Sequence, residues 1–457
     1  MAKDMTVGSP AKTMLLFTLP MVAGNLFQQM YNVVDSMIVG NFVGSDALGA
    51  VGVTSSVTFL FVALATGASL GASVVISQLY GAKELQRMQT AIVTTLWSVL
   101  VLALVLEGLG LALCTWLLHA LSTPPEAFAD AEAYLRIYLY GTLFLFYYNG
   151  FNAVYHALGD SKTPLLFLIF SSVLNVVLDL YMVIVLKMGV AGAAAATVIG
   201  QAATAILSAF YFRRPKSFRL TRADFRLEGG VVKRMIQVGI SSFIIQIAIV
   251  IVSSVANHVI GKYGPQSIYG ADIPLSVVGI VMKVFAIVIA FAVGIAVGGQ
   301  PIVGYNYGAR RYDRVMGTCK LIMVANLAVG LAATAIFELC PQAVVNLFGH
   351  ENALYNEYAV RCFRVFLSGI CLCCIQKAGS IFLQSLGKPV SSTLLSLARD
   401  VVFFVPGLFI LGAAGGVTGM LWAAPIADIL AFALTALLLF LQLREIRFSA
   451  ANQGKAQ

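Results

Sequence analysis

Charged residues are scarce in this chain. Only 11% of its 457 residues are Asp, Glu, Lys or Arg, whereas 60% are hydrophobic and the mean hydropathy is +0.90. Soluble domains are usually about one quarter charged, so the composition excludes an ordinary soluble protein. The apolar residues occur in runs of about 20, the length of an α-helix that crosses a bilayer. The sequence therefore predicts an all-α integral membrane protein.

Patterns typical of metal sites and enzymes are also missing. Cys371, Cys373 and Cys374 cluster in an apolar stretch, with no second CxxC and no neighbouring histidine. The four histidines are scattered without ligand spacing. No Ser-His-Asp order and no phosphate-binding glycine loop is present. We therefore expect no enzymatic activity, no cofactor and no structural metal.

The apolar runs predict about twelve spans in two halves of six. A polar, basic interruption at residues 213–234 separates an N-terminal lobe (1–212) from a C-terminal lobe (235–457) with a short tail. The predicted spans are 14–39, 48–78, 90–116, 134–158, 164–187, 190–212, 235–260, 273–304, 316–338, 360–385, 391–411 and 416–443.

The basic residues predict the orientation. The termini, the linker and the other even-numbered loops carry 21 of the 29 Lys and Arg residues. Because positive loops stay in the cytoplasm, both termini and the linker are expected there, in a bacterial inner (plasma) membrane. The net charge of +9 is thus interpreted as a topology signal and a contact for anionic lipid headgroups, and no nucleic-acid partner is expected.

The two halves resemble each other in sequence. Residues 67–88 and 294–315 share a Tyr-Gly-Ala turn followed by basic residues, at a shift of 227 residues. A second pair, Leu-Gly-Asp-Ser-Lys at 158–162 and Leu-Gly-Lys at 386–388, recurs at almost the same shift. Repeats separated by six spans have the same topology, which predicts a pseudo-two-fold axis along the membrane normal and transport by alternating access.

Two carboxylates lie within predicted spans, Asp35 in the first and Asp179 in the fifth. A carboxylate at the centre of a membrane helix costs about 2.5–3.5 kcal/mol, so such residues usually serve a function. Asn175 precedes Asp179 by one turn on the same helix face. Together with a hydroxyl such as Thr197, these groups suit either a coupled proton site or Na⁺, which prefers oxygen ligands. The alternative is a buried structural hydrogen-bond cluster.

Two further features concern helix shape and the second half. Pro20, on the same helix as Asp35, removes a backbone hydrogen bond and supplies a bend point. Five charged residues in the second half form a candidate buried polar network, either structural or involved in coupling or substrate binding: Lys283, Lys377, Arg399, Asp400 and Asp428.

The stretch Tyr-Asn-Val-Val-Asp-Ser-Met-Ile-Val-Gly at 31–40, with the spaced polar set behind it, resembles the multidrug and toxic compound extrusion (MATE) family. The resemblance covers essentially the whole chain and is nearest to the prokaryotic branch typified by DinF and MepA-like exporters. It implies two pseudo-symmetric six-helix bundles in a V-shaped arrangement.

The resemblance also implies roles for individual residues. The family's cation site in the N-terminal lobe corresponds to Asp35, Asn175, Asp179 and Thr197, and the helix-one bend to Pro20. Spans seven and ten contain no Asp or Glu, so a sodium site in the C-terminal lobe is not expected. The implied substrate cavity is lined by Gln28, Tyr31, Tyr134, Asn149, Asn152 and Ser172.

The expected function is a secondary active antiporter that works as a monomer. It would export organic cations in exchange for H⁺ or Na⁺, with coupling at Asp35 and Asp179. The alternative is a lipid-linked saccharide flippase of the same superfamily, for which Lys283, Lys377 and Arg399 would supply positive charge. A membrane-embedded enzyme and a channel are both disfavoured.

Overall fold

The computed structural model describes residues 9–42, 45–121, 123–212, 224–226, 228–270, 272–346 and 353–454, without the side chains of residues 10, 31–37, 39–49, 241 and 449–454. All regular elements in these segments are helices. They are α1 Pro10–Phe42, α2 Ser45–Gly81, α3 Leu85–Ala120, α4 Pro125–Tyr140, α5 Thr142–Ala157, α6 Lys162–Asp179, α7 Gly189–Phe212, α8 Gly229–Tyr263, α9 Asp272–Gly308, α10 Tyr312–Leu339, α11 Pro341–Asn346, α12 Ala353–Phe366, α13 Ile370–Ser385, α14 Pro389–Leu397, α15 Val405–Gly419 and α16 Ala423–Gly454.

Four short segments of other helical geometry complete the chain. Leu180–Val185 and Ala398–Phe404 are π-helical, and Gly264–Gln266 and Met420–Trp422 are 3-10 turns. Each π-helical segment continues directly from an α-helix, α6 in the first case and α14 in the second. Such insertions inside α-helices occur frequently at functional sites.

Eight helices in the described residues are long and apolar enough to cross a membrane, and a bent pair, α12 with α13, makes nine. One of the eight, Pro389–Phe448, spans 60 residues and contains two non-helical glycines, Gly415 and Gly416, so it comprises two crossings. Two predicted spans are not among these helices. The first corresponds to α1, some of whose side chains the structure does not describe, and the other to the consecutive helices α4 and α5. Counted in this way, the helices agree with the twelve predicted spans.

The internal repeat is visible in the backbone. Lys83 and Arg310, 227 residues apart, both end a helix with positive φ (60° and 56°). Gly159 and Gly387, 228 apart, do the same with φ of 81° and 73°. A left-handed residue that closes a helix is a standard terminator. The same turns therefore occur at the same places in both halves.

The chain divides into two compact units. Of the described residues, the first unit contains those between 23 and 243, and the second contains those from 9 to 22 and from 244 to 454. Helices α1 and α8 therefore each begin in one unit and continue into the other. The lobe boundaries drawn from the sequence stay a prediction.

Each unit has its own apolar core. In the first unit, Phe61, Leu118, Leu135 and Phe146 belong to one buried cluster. In the second, buried aromatic and aliphatic side chains of α8, α9, α12 and the start of α16 form another, which includes the fully buried Tyr358. The outward faces remain apolar as well, as Trp116 and Leu109 of α3 illustrate. This pattern is expected for helices surrounded by lipid.

Candidate functional site

Helix α6 buries its polar face. Of its eighteen residues, those that are buried are Pro164, Ser172, Asn175 and Asp179, whereas apolar residues such as Val173 and Val177 are more than half exposed. Ser172, Asn175 and Asp179 follow at intervals of three and four residues, which places them on one side of the helix. A membrane helix with its polar side turned inward indicates a functional polar interior.

Asp179 lies at the junction between α6 and the π-helical segment Leu180–Val185, and its side chain is fully buried. Asn175, one turn earlier, is 3% exposed. The sequence spacing predicted that these two residues share a face, and the helix places them there. The π-helical segment was not predicted, because no residue type marks such a change of pitch.

Thr197 of α7 completes this cluster. The Asn175 amide can be oriented in two ways. In one, its nitrogen donates to the Thr197 hydroxyl oxygen at 3.3 Å. In the other, its nitrogen donates to Asp179 Oδ2 at 2.7 Å, and its oxygen accepts from the Thr197 backbone N–H at 3.0 Å. We favour the second orientation because it satisfies both ends of the amide.

A glycine permits this close approach of α6 and α7. A Cβ atom at Gly200 would lie 3.4 Å from the Ser171 carbonyl oxygen and 3.5 Å from Asn175 Cβ. The buried residues of α7 around it are small as well, including Gly192, Ala193 and Ala196. Small residues at membrane helix interfaces let the backbones come close, and here they bring the Thr197 backbone within reach of Asn175.

The remaining residues of the predicted cation site and bend belong to α1. The side chain of Asp35 lies outside the described residues, as does that of Tyr31, although the backbone at both positions is part of α1. Gln28 is exposed. Pro20 lies inside α1, which is assigned as one helix from Pro10 to Phe42, so a bend there stays a prediction.

The other residues of the predicted substrate cavity lie on α4 and α5. Tyr134 is buried and its ring stacks on that of Tyr138, with centroids 6.5 Å apart. Asn149 donates to the carbonyl oxygen of Leu145 at 2.9 Å, within its own helix. Asn152 follows three residues later and is partly buried. Their role in substrate binding stays a prediction.

The second unit contains a buried ion-pair network. Asp400 accepts from Lys377 at 2.8 Å through one carboxylate oxygen and from Arg399 at 2.7 Å through the other. Arg399 also donates to Asp428 at 2.9 Å. The network thus joins four of the five residues that the sequence proposed. Lys283 is exposed on α9, on a different side of the helix from the buried Val281 and Val284, and takes no part in these ion pairs.

Arg399 is the centre of this network. Its guanidinium contacts both carboxylates and lies 5.4 Å from the ring centroid of Phe285 and 5.7 Å from that of Phe404. Two cations and two anions balance, which keeps the buried group neutral overall. Lys377 is the most exposed member, with 13% of its side chain accessible.

A cluster of serines beside this network was not predicted. The Ser380 hydroxyl lies 3.0 Å from that of Ser392 and 2.8 Å from that of Ser396, and all three are buried. Gln376, one turn before Ser380, donates to the Leu395 carbonyl oxygen at 2.9 Å. The sequence does contain a pattern that indicates this cluster. Gln376, Ser380 and Gln384 follow at intervals of four residues, which places polar groups along one face of α13.

Metal-binding clusters are absent from the described part of the chain. No group of three or more His, Cys, Asp or Glu side chains there could hold a metal ion. All seven cysteines are free, and Cys373 and Cys374 are buried in α13 as small packing residues.

Comparisons with known proteins agree with this architecture. The family model described as MatE matches residues 20–182 and 239–410. A probable multidrug resistance protein, YpnP of Bacillus subtilis, is 31% identical over 317 residues, which cover 69% of each chain. The multidrug export protein MepA of Staphylococcus haemolyticus is 23% identical over 420 residues, covering 91% of this chain and 90% of that one. A crystal structure of a MATE protein in complex with MaL6 superposes with a TM-score of 0.91 at 23% identity, covering 97% of this chain and 98% of that chain.

Proposed function

Because the chain belongs to the MatE family of multi-pass membrane transporters and is not an enzyme, we propose that it is a secondary active antiporter. It exports organic cations across the plasma membrane and takes up H⁺ or Na⁺ in exchange. The observation that carries this proposal is the buried cluster of Asp179, Asn175 and Thr197 on the inward polar face of α6.

The chemistry of this cluster suits ion coupling. A buried carboxylate with an amide and a hydroxyl nearby can bind either a proton or a small hard cation, and either ion neutralises its charge. For Na⁺, the Asn175 amide would have to turn so that its oxygen, which now accepts from the Thr197 backbone N–H, faces the cation, and its nitrogen would no longer donate to Asp179. A proton requires no such turn. Asp35 is proposed as the second acid of the site.

Loss of negative charge gives the exchange its direction. An organic cation is attracted while Asp35 and Asp179 are ionised and released once the incoming ion neutralises them. Tyr31 and Tyr134 are proposed to contact the cation through their rings. Inward movement of one positive charge releases about 2.3 kcal/mol per 100 mV of membrane potential, which is the energy that export of one monovalent cation consumes, so a one-for-one exchange is driven by the concentration gradient of the coupling ion. The bend at Pro20 is proposed to follow neutralisation of Asp35.

The multidrug names of YpnP and MepA support a broad range of substrates. We propose lipophilic organic cations as the substrate class and a monomer as the working unit. We also propose that both termini lie in the cytoplasm, which the asymmetry of Lys and Arg supports.

The flippase alternative requires positive charge for a pyrophosphate group. Lys377 and Arg399 are already bonded to Asp400 and Asp428, so their charge is balanced. This pairing disfavours an anionic substrate at that location and favours the efflux proposal.

The test is efflux of ethidium from proteoliposomes that contain the purified protein. A pH gradient and a sodium gradient are imposed separately, with Asp35→Asn and Asp179→Asn beside wild type and Lys283→Gln as an exposed control. We expect one gradient to drive efflux, and both Asp variants to lose it while the control retains it. Efflux that persists in both variants would overturn coupling at this site. If neither gradient moves any cation, the flippase alternative is favoured.

A further inference from the structure

A groove opens between α2, α3 and α8, entirely within the first unit. Its volume is about 640 Å³. Trp97 and Val101 lie on successive turns of α3, and Ile236 and Ile240 face them from α8. These side chains are between 47% and 59% exposed, so the groove is open along its side. Because both helices cross the membrane, that side faces lipid.

Contacts at one end explain the groove's wedge shape. Near their beginnings α3 and α8 touch, since the Thr95 hydroxyl donates to Met235 Sδ at 3.7 Å and Ile92 shares a buried cluster with Met235. Further along, α8 presses on α2: a Cβ atom at Gly239 would lie 2.9 Å from the Gly67 carbonyl oxygen. This approach draws α8 towards α2 and leaves space between α8 and α3.

The length of the groove matches one leaflet of a bilayer. Its lining on α8 runs from Val232 to Phe243, which is roughly 16 Å along the helix axis. Half of the hydrocarbon thickness of a bilayer is about 15 Å. Of the lining side chains, only those of Ser98 and Trp97 carry a polar group, a hydroxyl and an indole N–H. An extended acyl chain fits these dimensions and this polarity.

Uncompensated positive charge lies at the end where α8 begins. Lys233 and Arg234 sit in sequence between the lining residues Val232 and Met235, and both are exposed. Arg234 donates to the neutral Gln78 side-chain oxygen at 2.7 Å. Within the described segments, no carboxylate forms an ion pair with Lys233 or Arg234.

Arg87, at the start of α3, provides a contrast. Its guanidinium contacts the carboxylates of Glu84 at 2.8 Å and Glu228 at 3.3 Å, so this group sets two negative charges against one positive charge. The uncompensated charge therefore belongs to α8, and the linker that precedes it adds five more basic residues between positions 213 and 223.

We propose that this groove binds an anionic glycerophospholipid. One acyl chain lies between Trp97 and Ile240, and the phosphate contacts Lys233 at the rim, while Arg234 adds positive charge at the same end of α8. A hydrophobic cation would suit the apolar walls but would be repelled by these two residues. Since α8 continues into the second unit, the lipid fastens the first turns of that helix to the first unit.

The experiment measures lipid retention by the delipidated full-length protein in detergent, using native mass spectrometry. Phosphatidylglycerol and phosphatidylcholine with identical acyl chains are offered in competition. Wild type should retain phosphatidylglycerol at least about fivefold better, because each basic residue near an anionic headgroup contributes attraction of this order. Lys233→Gln with Arg234→Gln should abolish the preference, and Ile240→Trp should reduce retention of both lipids by filling the groove.

Matched controls separate a specific site from general attraction. Arg444→Gln with Arg447→Gln removes two exposed charges at the end of α16, and Leu437→Trp enlarges an exposed apolar residue elsewhere on α16. Both should leave retention unchanged. Thermal unfolding without added lipid checks that each variant is folded, and Val101→Trp replaces Ile240→Trp if that variant fails.

Three results would overturn the proposal. The first is equal retention of the two lipids by wild type. The second is an equal loss of preference in the α16 charge control, which would indicate general electrostatic attraction. The third is displacement of phosphatidylglycerol by ethidium at equimolar concentration, which would identify the groove as a path for substrate.

Discussion

The side-chain nitrogen of Asn175 lies 2.7 Å from the carboxylate of Asp179, one helical turn further along α6. Both groups are almost completely buried in a segment that crosses the membrane. Hydrogen bonds to a charged group are stronger than those between neutral groups, so Asn175 stabilises the ionised carboxylate. If Asp179 exchanges the coupling ion, as proposed above, Asn175 affects how readily it does so.

Asn175→Leu should impair ion coupling. The change removes one hydrogen bond to a carboxylate, worth about 1.5–3 kcal/mol, and leaves Asp179 in a less polar site. We expect the concentration of the coupling ion that gives half-maximal efflux to change by about tenfold or more, since 1.4 kcal/mol corresponds to tenfold. Ion-dependent ethidium efflux from proteoliposomes measures this effect. Val177→Leu, which alters an exposed residue of the same helix, is the control and should behave as wild type.

Gly200 should tolerate alanine but not leucine. A single Cβ atom would stand 3.4 Å from the Ser171 carbonyl oxygen, which is ordinary van der Waals contact. A leucine side chain would push α7 away from α6 and separate Thr197 from Asn175. Overpacking of this kind typically costs about 1–3 kcal/mol. Efflux assays should show near wild-type activity for Gly200→Ala and a large loss for Gly200→Leu; equal activity of the two would contradict the role of this helix contact.

The sequence was sufficient to predict the helices and one part of the site. Runs of about 20 apolar residues identify membrane spans because a helix of that length matches the hydrocarbon thickness of the bilayer. A spacing of four residues places Asn175 and Asp179 on one face of their helix. The contact with Thr197 depends on how α6 packs on α7. The residues alone suggested a hydroxyl of this kind, and the assignment of its place came from the family resemblance.

Other features required tertiary packing. The sequence grouped Lys283 with Lys377 because both are charges in apolar runs, yet Lys377 bonds to Asp400 and Lys283 is exposed. Which cation meets which anion depends on the rotation of each helix about its axis and on how the helices pack, which the order of residues alone does not specify. The π-helical segment at Ala398–Phe404, which presents Arg399 and Asp400 side by side, has no sequence signature either.

Removal of Arg399 should destabilise the protein more than removal of Lys377. Arg399→Met leaves Asp400 without its closer partner and Asp428 without its ion-pair partner, and an uncompensated buried charge typically costs about 3–5 kcal/mol. Lys377→Met leaves Asp400 still bonded to Arg399. Thermal unfolding in detergent measures both variants. Lys283→Met is the exposed control and should unfold at the wild-type temperature; a similar loss for all three would contradict the network's structural role.

Gly71→Ala should destabilise the first unit sharply. A Cβ atom at this position would collide with the Met235 carbonyl oxygen, which belongs to the rigid backbone of α8. The two helices would have to separate, with loss of the packing around Met235 and widening of the groove beside it. Gly108→Ala, in the middle of α3, is the matched control, since nothing lies within 4 Å of its Cβ position. Alanine is the better helix former by about 1 kcal/mol, so Gly108→Ala should raise the unfolding temperature or leave it unchanged. If Gly71→Ala unfolds at the same temperature as Gly108→Ala, the close crossing of α2 and α8 does not contribute to stability, and the origin proposed here for the groove is wrong.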